Sequence, residues 1–475
     1  MANGAKQTDL SLIFLLIGIL VIGCIVGFAT TVATPIWVLV AVSGLIVFLV
    51  SFVWPPIGLY LLVFSMLLSP EFGERQTQGE GFTIRMDDIL LVVLALSWFI
   101  RSAIKKELGI FPKTPLNKGI TAYILLCLFS TVMGGIYGKI NVIGLFFVLK
   151  YFEYFIIYFM AVNFINTRKQ VITFLVLLLI TCAIASSIGI VQIPAGERVT
   201  APFEGREGEP GTFGGYLILM VSVCIGLLLT IKSVKVKALL SFLTIMVAVL
   251  IVATESRATW LGVPFMYLCF LALSKRRFLL VGAFLVFVAM GPVILPQSAI
   301  DRFSGTFKRE RGYEAKVGGK TLALDSSATQ RVQSWQGILR DLRFHPILGY
   351  GITGYWFVDA QYFRTLIELG IVGLIIFLLF LYQIGKFLLR VYYLSNDNFV
   401  QGLSMGVFAG FVCLLVHGIG SNTFIIVRIM EPFWFLMGLV VILYNLEMEK
   451  QEKLQSGSLI IQETVTHGLH KPEKV

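Results

Sequence analysis

Apolar runs of about twenty residues follow one another along nearly the whole of this chain, and that is the length a helix needs to cross the hydrocarbon of a bilayer. With 57% of its 475 residues hydrophobic and 14% charged, the chain carries more apolar surface than a water-exposed fold can bury. Backbone groups inside lipid must be satisfied within their own segment, so the runs read as helices. The fold class is therefore all-α, a polytopic membrane protein with roughly fourteen transmembrane helices. Roughly eleven fall in residues 1–294 and three in residues 362–446. The first covers 10–29, and the pair around Trp54-Pro55-Pro56 reads either as two spans or as a re-entrant hairpin.

Residues 295–361 interrupt the pattern as one large polar loop, and residues 447–475 form a charged tail that reads as a flexible extension. Within the loop Val332, Trp335, Ile338, Leu339 and Leu342 recur at helical spacing until His345-Pro346 stops them. That is an amphipathic helix, expected to lie flat on the membrane with Arg331, Arg340 and Arg343 turned toward headgroups or water.

Short basic loops set the orientation, because Lys and Arg accumulate on the cytoplasmic side. Arg101 with Lys105, Lys106 and Lys113, Arg168-Lys169, Lys232 with Lys235 and Lys237, Lys275-Arg276-Arg277, and Lys386 with Arg390 all fall on one side of the helix count. Both termini are then expected inside and residues 295–361 outside. The loop itself is basic, with Arg302, Lys308, Arg309, Arg311, Lys316, Lys320, Arg331, Arg340 and Arg343. Cations on a translocated side oppose the usual bias and hint at an anionic ligand there, although long loops also cross regardless of charge.

The chain has no phosphate-binding GxxxxGK[ST] loop, which argues against ATP-driven work, and nothing in it points to nucleic acid. Its cysteines all sit in apolar runs, with no metal-type spacing. Energy must come from an activated substrate or from an ion gradient.

Three charged groups lie on the expected outer side. Glu255-Ser256-Arg257 breaks two apolar runs; its guanidinium suits phosphate oxygens, or pairs with Glu255, or snorkels to the interface. Arg198, in a loop with Glu197, Glu204, Arg206, Glu207 and Glu209, is a second anion contact. Arg75 and Arg85 stand beside Asp87-Asp88, acids that either bind a metal or simply favour a helix N-terminus.

The order of Thr254-Glu-Ser-Arg257-Ala-Thr-Trp-Leu-Gly262, a helix with Arg331 and Trp335, His345-Pro-Ile-Leu-Gly-Tyr-Gly351, and Glu368-Leu-Gly370-Ile-Val-Gly373 resembles the O-antigen ligase and O-antigen polymerase superfamily over about residues 250–380. The resemblance implies a metal-independent glycosyltransferase without cofactor, acting on the outer face of the membrane. Its donor would be a polyprenyl-pyrophosphate-linked glycan and its acceptor a glycan or lipid, with membrane lipid and a chain-length regulator as further partners. Pyrophosphate contacts would fall to Arg257 and Arg331, then to Arg198 and Arg340. One departure stands out: the family's His-Asn pair aligns with Asp359-Ala360. The acceptor base would then be Asp359, Glu368 or His417, with capping of Gln361 as the competing role for Asp359. The alternative in a different class is a secondary transporter of a small anion or solute, which would place its charges in broken midplane helices.

Overall fold

A computed structural model describes residues 35–72, 84–105, 111–140, 142–196, 198–204, 208–294, 297–305, 315–317, 320–322 and 325–468. The apolar run 10–29, Arg75, Glu197, Arg206, Glu207, Lys308, Arg309 and Arg311 lie outside the described residues. Ten helices come first: α1 Pro35–Val53, α2 Pro55–Leu68, α3 Met86–Lys105, α4 Asn117–Ile136, α5 Val142–Phe164, α6 Arg168–Gln192, α7 Pro210–Thr230, α8 Val234–Ala253, α9 Arg257–Leu273 and α10 Arg277–Ile294. The loop region then holds α11 Gln297–Gly305 and α12 Ser326–Asp341, and the chain closes with α13 Gln361–Leu394, α14 Asn398–His417 and α15 Val427–Gly468. Two small antiparallel hairpins complete it, β1 Glu71–Phe72 with β2 Ile84–Arg85, and β3 Ala315–Val317 with β4 Lys320–Leu322.

Among the described residues, 8 helices are long and apolar enough to cross a membrane, with shorter apolar helices beside them, so the expected count of about fourteen spans is not reproduced. Helix length accounts for part of the difference, and the run 10–29 lies outside the described residues. The 14-residue α2 reaches only about 21 Å at 1.5 Å per residue, short of a ~30 Å hydrocarbon core.

Lipid gives helices little hydrophobic reason to associate, so close backbone packing must hold them together. The central contact is α7 against α14, where Gly402, Gly406 and Gly410 form a small-residue stripe at four-residue spacing. A Cβ on Gly406 would lie 2.8 Å from the Ser222 carbonyl oxygen, and one on Gly226 only 2.4 Å from that of Gly402. Aromatic rings fill the other side of the core. Trp434 of α15 stacks on Phe380 of α13 at 5.7 Å and meets Phe155 of α5 edge-on at 4.7 Å. By contrast, Leu239, Phe242, Ile245 and Val249 form one exposed apolar face of α8, the kind of surface that lipid covers.

At the end carrying the short basic loops, Arg168 holds Asp397 through bonds of 2.5 and 2.9 Å. Asp397 is also the N-cap of α14, accepting from Phe399 and Val400. Beyond Glu447, α15 continues to Gly468.

Candidate functional site

The site is built around a break in α13. At Gly370 the backbone turns to φ 70, ψ −172, a conformation open to glycine and costly for other residues. A helix broken in this way leaves carbonyls and amides that must find partners. They find them in the His345–Gly351 segment: Tyr350 N–H donates to Ile367 O at 2.9 Å and Gly351 N–H to Glu368 O at 2.8 Å, while Ile371 N–H donates to Pro346 O at 2.9 Å. Ser130 of α4 adds its hydroxyl to Leu348 O at 2.6 Å and to Glu368 O at 2.9 Å. The two chains touch so closely that a Cβ on Gly370 would be 2.2 Å from Ile347 O, and one on Gly349 2.5 Å from Glu368 O. The glycines of the two sequence motifs are therefore the two halves of one packing contact.

Above this lock lies α12. Its apolar face does not lie on the membrane as expected. Ile338 is fully buried with Tyr350, Val358 and Ile367, and Trp335 stacks on Phe363 of α13 at 4.8 Å. The start of α13 offers apolar side chains closer at hand than lipid, and α12 docks on them.

Asp325 caps the N-terminus of α12, accepting from Ala328 N–H at 3.0 Å. The same carboxylate pairs with Arg257 at the first turn of α9, whose other nitrogen donates to Ser327 Oγ at 3.3 Å. Burial alone would raise the Asp325 pKa; hydrogen bonds from Arg257 and Ala328, and the Arg257 charge, outweigh it and hold the group below the usual carboxylate range. One and a half turns along α12, Arg331 donates to Asp359 Oδ2 at 2.8 Å. Arg257 and Arg331 are thus brought to one helix, each facing a carboxylate.

Arg198 braces the turn that aims Arg257. It donates to Thr254 O at 3.1 Å and to Glu255 O at 3.2 Å, across a turn where Glu255 adopts φ 48, a strained value for a residue other than glycine. Burial, then the positive charge of Arg302 with a further share from Arg257, pulls the Arg198 guanidinium below its ordinary range. Such mutual repulsion among arginines is what an anion relieves. Arg340 stands apart: nine residues beyond Arg331 on a 3.6-residue helix, it points about 180° away. It is exposed and bonds to Asp341 at 3.2 Å.

The three candidate bases differ in access. Asp359 is one third exposed at 33%, and it does not cap α13. The N-cap is Ala360, without a side-chain bond, and the Gln361 N–H donates instead to Gly418 O and Ser421 O. Glu368 is turned inward, accepting from Arg364 at 3.1 Å and from Thr353 N–H at 3.2 Å. His417 is fully buried at the end of α14, its Nδ1 2.7 Å from Thr423 Oγ1. Asn422 then ties this turn to the loop carrying Asp359 by donating to Val358 O at 2.6 Å.

A second charged network was anticipated only at Arg85, Asp87 and Asp88. Arg85 pairs with Asp87 at 2.5 Å and Lys150 with Asp88 at 2.9 Å, so the acids noted as metal candidates face cations. Arg428, buried in α15, contacts Glu204 at 3.4 Å and Pro202 O at 2.9 Å, and Glu431 is fully buried one turn on. The available signal was Lys150, Glu153, Arg428 and Glu431 standing inside apolar runs.

Taken together, these features define a many-helix membrane protein with an arginine and carboxylate cluster at one end. Residues 242–378 match the family model described as O-Antigen ligase. The match supports the O-antigen ligase and polymerase superfamily, whose members act on polyprenyl-linked glycans and lipid-linked substrates through glycosyltransferase-type chemistry. No curated protein matches the chain. The matched segment contains Arg257, Arg331, Asp359 and Glu368, whereas Arg198 and His417 lie outside it.

Proposed function

We propose that this protein is a membrane glycosyltransferase that polymerises or ligates a polyprenyl-pyrophosphate-linked oligosaccharide on the outer face of the bacterial plasma membrane, in O-antigen, capsule or exopolysaccharide synthesis. The observation that carries the reading is the pairing of Arg331 with Asp359, both about one third exposed, beside Arg257 on the buried Asp325. Each guanidinium makes a single bond to its carboxylate, and a pyrophosphate offers it a two-pronged partner instead.

The reaction follows from that exchange. Pyrophosphate takes Arg331, which frees the Asp359 carboxylate. The acceptor hydroxyl oxygen then attacks the anomeric carbon, its proton passes to Asp359, and the bond from that carbon to the pyrophosphate oxygen breaks. The electron pair leaves with the polyprenyl pyrophosphate, where Arg257 and Arg331 stabilise the charge. In this scheme Glu368 holds the α13 break in place with Arg364, and His417 holds the Asn422 turn through Thr423. No metal or cofactor has a role in it.

The transporter alternative needs free carbonyls or charges at a broken helix. Here the break at Gly370 is closed by the protein's own amides, which favours the enzyme. The test is transfer by the purified protein in nanodiscs, supplied with polyprenyl-pyrophosphate-linked repeat unit and a chelator. A ladder of longer glycans, lost in Arg331→Ala, is expected; absence of transfer by the wild type together with uptake of the unlinked solute into proteoliposomes would overturn the assignment.

A further inference from the structure

Beside the lock formed by His345–Gly351 lies an open cleft of about 660 Å³, lined by Lys139, Asp341, His345, Tyr350, Tyr355 and Trp356 among others. None of these residues takes part in the arginine cluster. Their arrangement is ordered: His345 lies 4.6 Å from the Tyr350 ring and 4.8 Å from that of Tyr137, and Tyr350 lies 5.3 Å from Tyr355. A continuous aromatic wall results. Trp356 stands at its rim, 81% exposed.

The polar part of the cleft is equally fixed. Tyr355 Oη donates to Asp341 Oδ2 at 2.7 Å, Arg340 Nε donates to Oδ1 at 3.2 Å, and Tyr350 Oη donates to the Asp341 carbonyl at 3.0 Å. Asp341 is therefore held as an oriented acceptor, and the bonds from Tyr355 and Arg340 keep its carboxyl below the usual range. Burial and the Asp341 bond push the Tyr355 hydroxyl up to about 12, so it remains a donor.

We infer that this cleft is a saccharide subsite that holds the acceptor glycan beside the transfer centre, with Trp356 and the aromatic wall stacking on sugar rings and Asp341 accepting from their hydroxyls. A pyranose ring presents apolar C–H faces and polar edges at once, and the lining offers both. Position supports it as well. Trp356 is three residues before Asp359, so the two are at most about 11 Å apart along the chain, and the cleft residue Thr353 is bonded directly to Glu368. Exposed tryptophan also suits a headgroup anchor, but an anchor has no use for a braced carboxylate and a concave wall.

The inference rests on the proposed glycosyl transfer for its role, and two separate readings keep the two apart. The full chain in nanodiscs is titrated with the oligosaccharide released by mild acid from the polyprenyl-linked glycan of the same cells. Wild type and Arg331→Ala are expected to bind it equally. Trp356→Ala and Asp341→Asn are expected to weaken binding roughly tenfold, the scale of one lost stacking or hydrogen-bonding contact, while Trp356→Phe retains most of it. In the transfer assay the first two should raise KM for acceptor, leave KM for donor unchanged, and shorten the product. Tyr355→Phe, which keeps the ring, guards against misfolding and should show a smaller loss of the same kind. Unchanged affinity in Trp356→Ala and Asp341→Asn would overturn the subsite, even with Arg331→Ala still inactive. Poor nanodisc insertion of Trp356→Ala with normal binding by Asp341→Asn would mark a membrane anchor and overturn it too. Normal transfer by Arg331→Ala would instead sink the proposed chemistry.

Discussion

Arg331 on α12 and Asp359 at the mouth of α13 form a 2.8 Å ion pair across 28 residues of chain, with 35% and 33% of the two side chains exposed. Half-open pairs of this kind persist in water yet yield to a stronger anion. Arg257 and Asp325 form a more enclosed pair, with Asp325 buried.

Replacing Arg257 or Arg331 by Ala should abolish polymer at normal protein level. Lys should restore only part of it, since a point charge cannot reproduce the two-pronged contact. Loss on the order of a hundredfold is expected from a charge-assisted pair in a partly dry site. Immunoblots of polymer beside blots of the protein decide the matter, and full polymer from both Ala variants would refute the role.

Asp359→Asn removes the proton acceptor and retains size. Because Asp359 does not cap α13, thermal stability should change little. Transfer should fall by about 10² to 10⁴, the usual contribution of a placed base, while lipid-linked donor accumulates. Wild-type turnover in this variant would shift attention to the buried Glu368 and His417.

Asp325 gives a pH signature. Its folded pKa is depressed, so the stability it contributes is present above the unfolded value of about 3.9 and is lost as pH falls through the lower, folded one. Wild-type protein should therefore lose Tm on acidification below about pH 4 more steeply than Asp325→Asn, which lacks the ionised partner of Arg257. Parallel Tm curves for the two proteins would contradict the linkage.

Gly370→Ala should be poorly tolerated. The added Cβ meets Ile347 O at 2.2 Å, in a backbone region that L residues rarely adopt, and the cost of such strain is about 1–3 kcal/mol before the clash is counted. Gly44→Ala, with nothing within 4 Å, is the control. Detergent-solubilised Tm and yield should fall for the first and hold for the second.

Much of this protein is legible without coordinates because lipid imposes a simple rule. A run of some twenty apolar residues must be helical to satisfy its own backbone, and so the positions of α4 to α8 and of α14 follow from hydropathy alone. The order of Arg257, Arg331, His345–Gly351 and Glu368–Gly370 likewise identified the superfamily. Hydropathy says nothing, however, about which helices are too short to span, as α2 is, or about the continuation of α15 beyond Glu447.

What each motif does was decided only in three dimensions. Hydrogen bonds between Gly351 and Glu368, or between Ile371 and Pro346, join residues that the linear chain leaves far apart, and their reason is the unsatisfied backbone at the Gly370 break. The same holds for Arg340, whose helical phase turns it from Arg331 toward Asp341, and for Arg428, whose cost inside the membrane is offset by Glu204. Local periodicity fixes where a helix runs because each residue answers to lipid separately. Partners for charges and broken backbone depend on which segments meet, and that is a property of the packed whole.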